Sequence, residues 1–258
     1  METVTHHGRT TAYRRADRGA GGDPVLFVHG SGGSHEVWKA QLGRLSSTVP
    51  VVAVDLSGHG ESDDVDADAG WGALSAYASD VDAVARETGA TTFVGNSLGG
   101  AVVMHLLLER DRSPEAVVLA GTGAKLAVLD DLLAWLDGDF DHAVEFLHGE
   151  DRLFHDPDDR YVDLSKAGMY DVGRRVTERD FRSCHTFDVR DRLDELAAPT
   201  LAVVGEHDRL TPPSYHEYLA ENVQDGRYAE IPDAAHLAML ERPEAFNEAL
   251  TDFLDDVR

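Results

Sequence analysis

The sequence predicts an α/β fold whose sheet is mostly parallel. Several apolar runs are short, rich in β-branched residues and nearly continuous, which is typical of strands buried on both faces of a parallel sheet. The runs are residues 24–30, 51–60, 91–96, 116–121 and 200–208. Segments with apolar residues at helical spacing lie between these runs, and strands that alternate with helices favour this fold class.

The N-terminal residues are predicted to form a β-hairpin ahead of the first buried strand. A polar strand ends at a turn near His7 and Gly8, and a second strand covers residues 10–16. Glycine-rich residues 19–22 then form a loop. The hairpin therefore precedes the parallel strands.

Helices are predicted between and after the buried strands. Residues 74–88 place Leu74, Tyr77 and Val81 at helical spacing. Pro243 and Glu244 suit the first turn of a helix at the C-terminal end of the sequence. The predicted helices are residues 74–88, 98–110, 215–222 and 244–257.

The interval between Gly121 and Pro199 contains no run typical of a buried strand. Its candidate helices are residues 126–136, 141–148 and 162–170. A crossover between parallel strands needs only about a dozen residues. We therefore predict one domain over residues 1–258 with an inserted helical cap, roughly residues 124–187, rather than a surface excursion without function.

The composition limits the classes of partner. The chain has 258 residues and a net charge of −25, from 48 acidic and 23 basic residues. The acidic residues are dispersed, which indicates a solvated acidic surface that disfavours nucleic acid and anionic membranes. Such a surface resembles that of halophilic proteins, in which salt screens the self-repulsion, and we expect poor stability at low salt.

The sequence also indicates a cytoplasmic, soluble protein. Cys184 is the single cysteine, so an intramolecular disulfide is impossible. The N-terminus lacks a long apolar segment, and no apolar stretch reaches the roughly 18 residues of a membrane span. The oligomeric state stays open between monomer and dimer.

A glycine-rich turn holds the candidate nucleophile. Residues 95–99 read G-x-S-x-G around Ser97, after a buried strand and before a helix. Glycine at positions 95 and 99 permits the close backbone approach of a nucleophile elbow, which exposes the serine hydroxyl. The amide of Leu98, at the helix N-terminus, then points toward developing negative charge. An inert turn is the alternative.

A serine hydroxyl needs a base, and the base needs an acid that orients it. The order expected in this fold is serine, acid, histidine. Asp208, just after a buried strand, is the preferred acid over Glu206. His236 follows a short strand between small and apolar neighbours, and it is the predicted base.

Other residues are weaker candidates for the site. His29 and His59 precede the serine and are expected to shape their loops, while His207 adjoins Asp208 and is expected to be scaffold. The second oxyanion donor is predicted to be the amide of Ser31, with Gly32 as the alternative. Five aromatic residues of the cap could line an acyl pocket, but its packing core is the preferred assignment, so they are left out of the site; they are Trp135, Phe140, Phe146, Phe154 and Phe181.

The chain resembles the α/β-hydrolase fold family in its capped, single-domain branch. The resemblance rests on residues 25–33, 55–63, 94–100, 205–212 and 231–246. It implies an eight-stranded, mostly parallel sheet, no cofactor, and a triad of Ser97, Asp208 and His236. These assignments predict a serine hydrolase of small or medium carboxylic esters.

Alternatives within and outside this branch stay open. Serine at position 97 excludes relatives with aspartate there, namely haloalkane dehalogenases and epoxide hydrolases. Enol-lactonases remain possible, as do carbon–carbon bond hydrolases, although Leu237 replaces the tryptophan that usually follows their histidine. A non-catalytic protein that binds a small ligand is the rival of another class.

No metal or nucleotide site is predicted from motifs. The sequence has no H-E-x-x-H and no paired cysteines. The glycine-rich residues 19–23 lack the lysine of a P-loop, and there is no dinucleotide fingerprint.

Overall fold

A single eight-stranded sheet is the frame of residues 1–257, the part of the chain that the computed structural model describes. Residue 258 of the predicted domain lies outside that range. The strands are β1 Glu2–His6, β2 Arg9–Ala16, β3 Val25–Val28, β4 Val51–Val54, β5 Thr92–Asn96, β6 Ala116–Ala120, β7 Thr200–Gly205 and β8 Gly226–Ile231.

The sheet is parallel except at one edge. Its spatial order is β1-β2-β4-β3-β5-β6-β7-β8, and only the β1–β2 and β2–β4 pairings are antiparallel within the described range. Every residue of β3 to β7 is buried, as the continuous apolar runs predict. The mostly parallel α/β class is therefore confirmed.

Helices cover both faces of the sheet. They are α1 Lys39–Leu45, α2 Trp71–Thr88, α3 Leu98–Glu109, α4 Asp130–Gly138, α5 Phe140–Leu147, α6 Asp159–Val172, α7 Arg174–Thr186, α8 Pro213–Asn222, α9 Ala238–Glu241 and α10 Pro243–Val257. One face packs against α2 and α3 through residues such as Leu74 and Val102, and the other against α1 and α10 through residues such as Leu42 and Leu250. Among the helices of residues 1–257, none combines the length and apolarity that a membrane crossing requires.

Helices α4 to α7 fill the interval between β6 and β7, and we call residues 124–187 the cap. The predicted helix over 126–136 begins only at Asp130. Its first residues are extended because the backbone pairs with the chain after α7: Leu126 N–H donates to Phe187 O at 3.3 Å, and Val189 N–H to Ala124 O at 2.8 Å. Helix α7 has no counterpart among the predicted helices.

A buried polar network joins α7 to the sheet domain. Asp180 accepts hydrogen bonds from His59 Nε2 at 2.9 Å and from Tyr77 Oη at 2.6 Å. Arg179 Nε donates to Tyr77 Oη at 3.0 Å, and its Nη2 to Asp64 Oδ1 at 2.8 Å. His59, predicted to shape its own loop, thus also contacts the cap. The network stabilises the cap only while its buried charges stay paired.

Candidate active site

Ser97 occupies a strained turn between β5 and α3. Its φ of 55° and ψ of −119° lie outside the regions that a serine ordinarily adopts. The turn is close-packed: a Cβ on Gly95 would overlap Gly99, and a Cβ on Gly99 would overlap the carbonyl of Val28. Only glycine therefore fits at positions 95 and 99. Strain held in this way by its surroundings is common at functional sites.

Asn96 links the serine turn to two neighbouring segments. Its buried Nδ2 donates to Ala120 O at 3.2 Å, at the end of β6, and approaches His236 O at 3.5 Å. A Cβ on Gly30 would lie 3.1 Å from Asn96 Oδ1 and 2.9 Å from Ser97 Cβ. The asparagine thus positions the serine turn against the histidine loop.

The structure brings Asp208 and His236 into direct contact. His236 Nδ1 donates to Asp208 Oδ2 at 2.8 Å, and the two residues are only 5% and 2% exposed. Thr211 Oγ1 donates to the same oxygen at 2.8 Å. The backbone N–H groups of Leu210 and Thr211 donate to Asp208 Oδ1 at 2.8 and 2.9 Å. The carboxylate is therefore fixed by four hydrogen bonds.

The pKa of the Asp208 carboxyl lies below its usual value. Burial acts to raise it, but the charge and hydrogen bond of His236, with the bonds from Thr211, outweigh that effect. The acid is consequently ionised at neutral pH and can stabilise a positive charge on the imidazole.

The two weaker candidates in the same loop point elsewhere. Glu206 has a side chain that is 47% exposed, and its Oε2 accepts from Asp233 N–H at 3.3 Å. His207 stacks on His155 of the cap, with ring centroids 3.7 Å apart. Neither has a hydrogen bond to His236, whereas Asp208 does.

His29 is a structural residue at the start of the predicted oxyanion loop. Its Nδ1 donates to Gly30 O at 2.8 Å, and its Nε2 accepts from Leu56 N–H at 3.1 Å. Burial lowers its pKa to about 4. The ring is thus neutral at neutral pH, with both nitrogens occupied.

The predicted oxyanion donors are Leu98, directly after Ser97, and Ser31 or Gly32, which line the same cavity as Ser97. Leu98 is the first residue of α3, so its N–H has no acceptor within the helix. Ser31 and Gly32 belong to the loop after β3. Gly32 has a φ of 67° and packs against Met169 of α6. The Ser31 hydroxyl oxygen is buried and has no hydrogen-bond partner among the described residues.

A cavity of about 340 Å³ connects these groups. Ser97 and His236 reach it from the sheet domain, and the cap supplies most of its apolar wall. Phe146 and Phe181, which the sequence analysis left out of the site, line this wall, whereas Trp135 packs on His142 and Phe140 on Tyr170. The larger aliphatic and aromatic side chains of the wall include Val37, Leu126, Val128, Leu129, Leu132, Phe146, Leu153, Met169, Phe181, Leu210 and Leu237.

A buried histidine that no sequence motif indicates supports the serine turn. His216 Nε2 accepts from Thr122 N–H at 2.9 Å, and Thr122 Oγ1 donates to Ser97 O at 2.9 Å. Burial lowers the pKa of His216 to about 4. The imidazole is therefore a neutral acceptor, and it fixes the residue that holds the Ser97 carbonyl.

Residues 151–153 of the cap, which we call the bracing segment, contact the loops that carry Asp208 and His236. Asp151 O accepts from Arg209 N–H at 3.0 Å. Arg152 O accepts from His236 N–H at 3.1 Å, and Leu153 O from Leu237 N–H at 3.0 Å. Sequence reasoning did not identify this segment. It joins the cap to the backbone beside the acid and to that of the histidine.

The fold and the site together define an enzyme of the α/β-hydrolase type. Residues 25–249 match the model of the alpha/beta hydrolase family. The match covers most of the sequence, and the chain belongs to this family.

Similar proteins span nearly the whole chain. A pimeloyl-[acyl-carrier protein] methyl ester esterase of Neisseria meningitidis is 29% identical, over 90% of this chain and 94% of the relative. The 3-oxoadipate enol-lactonase 1 of Acinetobacter baylyi is 25% identical, over 91% and 89%. A solved thermophilic esterase superposes with a TM-score of 0.86 at 31% identity, covering 99% of this chain and 97% of that one.

Proposed function

We propose that the protein is a serine hydrolase that cleaves a small or medium carboxylic ester through an acyl-enzyme. The observation that carries the proposal is the convergence of three groups on one cavity. Strained Ser97 and buried His236 both line it, and Asp208 holds the far side of the imidazole at 2.8 Å. This is the arrangement that nucleophilic catalysis by serine requires.

In the acylation step, Ser97 Oγ attacks the ester carbonyl while His236 takes its proton. The Leu98 and Ser31 amides donate to the oxyanion of the tetrahedral intermediate. The intermediate then expels the alkoxide, which leaves as the alcohol with the proton from His236. In deacylation, His236 removes a proton from water, the hydroxide attacks the acyl carbonyl, and the acid departs as Ser97 regains its proton.

The cavity supports a neutral, apolar substrate. Among the described residues that line it, Arg209 is the single lysine or arginine, and its side chain is two-thirds exposed and paired with Asp151. A volume of about 340 Å³ with an apolar wall fits a short or medium acyl chain. The esterases among the similar proteins agree with this assignment.

A lactone is the second candidate substrate. The similar enol-lactonase favours it, since opening of a cyclic ester uses the same attack and keeps the leaving alcohol on the product. Cleavage of a carbon–carbon bond has weaker support because Leu237 follows the histidine. A non-catalytic role in ligand binding does not require the buried His236–Asp208 hydrogen bond, and it therefore has weaker support.

A substrate panel tests the assignment. Purified protein is assayed at high salt against p-nitrophenyl esters of increasing acyl length, lactones and vinylogous diketones. We expect turnover of short and medium esters, with Ser97→Ala lower in kcat by about 10⁴–10⁶-fold. Turnover confined to lactones or diketones, or full activity in Ser97→Ala, would contradict the proposal.

A further inference from the structure

A carboxylate and two imidazoles meet where the cap joins the loop after β7. Asp151 Oδ1 lies 2.6 Å from His155 Nδ1, and the rings of His155 and His207 stack at 3.7 Å. One ligand-type atom from each of the three residues lies within 4.8 Å of the others. Imidazole nitrogen and carboxylate oxygen are ligands that Zn²⁺ and neighbouring transition metals bind.

We propose that Asp151, His155 and His207 form a binding site for a divalent transition-metal ion of the Zn²⁺ class. Tetrahedral Zn²⁺ with bonds of about 2.0–2.1 Å separates its ligand atoms by roughly 3.3 Å. The Asp151 Oδ1 to His155 Nδ1 distance is 2.6 Å and all the ligand atoms lie within 4.8 Å of one another, so binding requires the His155 and His207 rings to turn out of their stack and aim one nitrogen each at the ion. The His155 and His207 side chains are 31% and 33% exposed, which leaves solvent access for the ion and for a water ligand.

The carboxylate is already oriented for this role. Arg209 Nη2 donates to Asp151 Oδ2 at 2.6 Å, while Oδ1 faces the imidazoles. The Asp151 side chain is only 7% exposed, and its carbonyl accepts from Arg209 N–H. A carboxylate held through one oxygen can offer the other to a metal ion, and groups that orient ligands in this way strengthen metal binding.

A second cluster shares one of the ligands. Glu206, His207 and Asp233 also bring ligand atoms within 4.8 Å of one another, and the side chain of Glu206 is about half exposed. Two carboxylates with one imidazole suit a harder cation than Zn²⁺. The buried carboxylate and the pair of imidazoles favour the Asp151 cluster instead, and the variants below separate the two.

An ion in the Asp151 cluster would join the cap to the catalytic acid loop. His207 directly precedes Asp208, and Asp151 begins the bracing segment. An ion that binds the folded state and not the unfolded chain raises the unfolding midpoint. Zn²⁺ should therefore stabilise the fold, an effect that can be measured whether or not the enzyme is turning over substrate.

The test is calorimetric titration of the chelator-stripped full chain with zinc chloride. We expect one Zn²⁺ per chain, with His155→Gln and His207→Gln each weakening binding by about tenfold or more. The matched control is His142→Gln, which changes an exposed histidine of the cap outside the cluster and should leave the affinity unchanged. Zinc should raise the unfolding midpoint of the wild type and of His142→Gln, but not that of His155→Gln or His207→Gln.

Equal zinc affinity in the wild type and in both variants would overturn the proposal, as would the absence of binding in the wild type. Binding lost in Asp233→Asn but kept in His155→Gln would place the ion in the second cluster and also overturn it. Circular dichroism without zinc checks that each variant is folded. Because His155 is partly exposed and outside a helix or strand, its variant keeps the test decisive if His207→Gln unfolds.

Discussion

Asp151 and Arg209 contact each other twice. The Arg209 N–H donates to the Asp151 carbonyl at 3.0 Å, and the Arg209 guanidinium donates to the Asp151 carboxylate at 2.6 Å. Asp151 has a φ of 55°, in the left-handed region that few residues other than glycine, asparagine and aspartate adopt. Since Arg209 follows Asp208, the cap is attached directly to the loop that carries Asp208, the proposed acid.

Replacing Asp151 with asparagine tests this attachment. Asparagine tolerates a positive φ, so the change removes the charge and keeps the turn. We expect kcat to fall on the order of tenfold because the acid loop is slightly misplaced. A displacement of about 1 Å in an active site can lower the rate by about 10²-fold. Ester hydrolysis is measured with a chelator present, and Asp156→Asn, an exposed neighbour, is the control. Equal activity of Asp151→Asn and the control would contradict the expectation.

The two acidic residues after β7 should differ sharply in effect. Asp208→Asn leaves the His236 Nδ1 proton without its acceptor, and we expect kcat to fall by about 10⁴-fold. Glu206→Gln should stay near the wild-type rate because this side chain is exposed and does not contact His236. Steady-state kinetics of both variants decide the assignment, and a larger loss in Glu206→Gln would reverse it.

Two buried histidines should make the fold sensitive to acid. Burial lowers the pKa of His29 and of His216 to about 4, below the ordinary 6.5. As pH falls below 6.5 the unfolded chain takes up protons at these two positions that the folded chain does not, so their contribution to stability is lost between pH 6.5 and 4. Each histidine can contribute about 3 kcal/mol to this loss.

The free energy of unfolding in urea, measured across that pH range, checks the histidine effect. His216→Gln retains an acceptor for Thr122 N–H but does not titrate, and its stability should depend less steeply on pH. His142→Gln, at an exposed position, should follow the wild type. Identical slopes for His216→Gln and the wild type would show that His216 is not the source.

Salt should stabilise the protein. The net charge of −25 produces self-repulsion that is screened over about 10 Å at 0.1 M salt and about 3 Å at 1 M. We expect the unfolding midpoint, followed by circular dichroism, to rise from dilute buffer to molar KCl. Sodium chloride should act equally if screening is the cause. A midpoint that is the same in dilute buffer and molar KCl would contradict a halophile-like surface.

The strands of the sheet could be predicted because the pattern that indicates each strand lies within its own residues. Strands buried on both faces need apolar residues at every position, and β3 to β7 have them. The strained turn was also visible, since only glycine fits at positions 95 and 99. The order of the acid and the histidine along the chain also predicts the Asp208–His236 contact.

Helix α7 could not be predicted from periodicity because polar residues face the protein interior. Arg179, Asp180 and Ser183 are buried there, and their hydrogen bonds to Tyr77, His59 and the backbone replace apolar packing. The spacing of apolar residues does not indicate such polar contacts.

The bracing segment and His216 were missed for a different reason. The segment acts through backbone carbonyls, and any residue at these positions has one. His216 accepts from Thr122, a residue far away in the chain, so neither interaction leaves a local pattern. Contacts of this kind become visible only when the fold brings the segments together.

The central claim, that Ser97 is the nucleophile, is tested most directly by intact-mass spectrometry after incubation with a fluorophosphonate. The wild type should gain one phosphonyl group, located on Ser97 by peptide mapping, and Ser97→Ala should gain none. A wild-type protein that hydrolyses esters yet stays unlabelled, or is labelled at another residue, would contradict the claim.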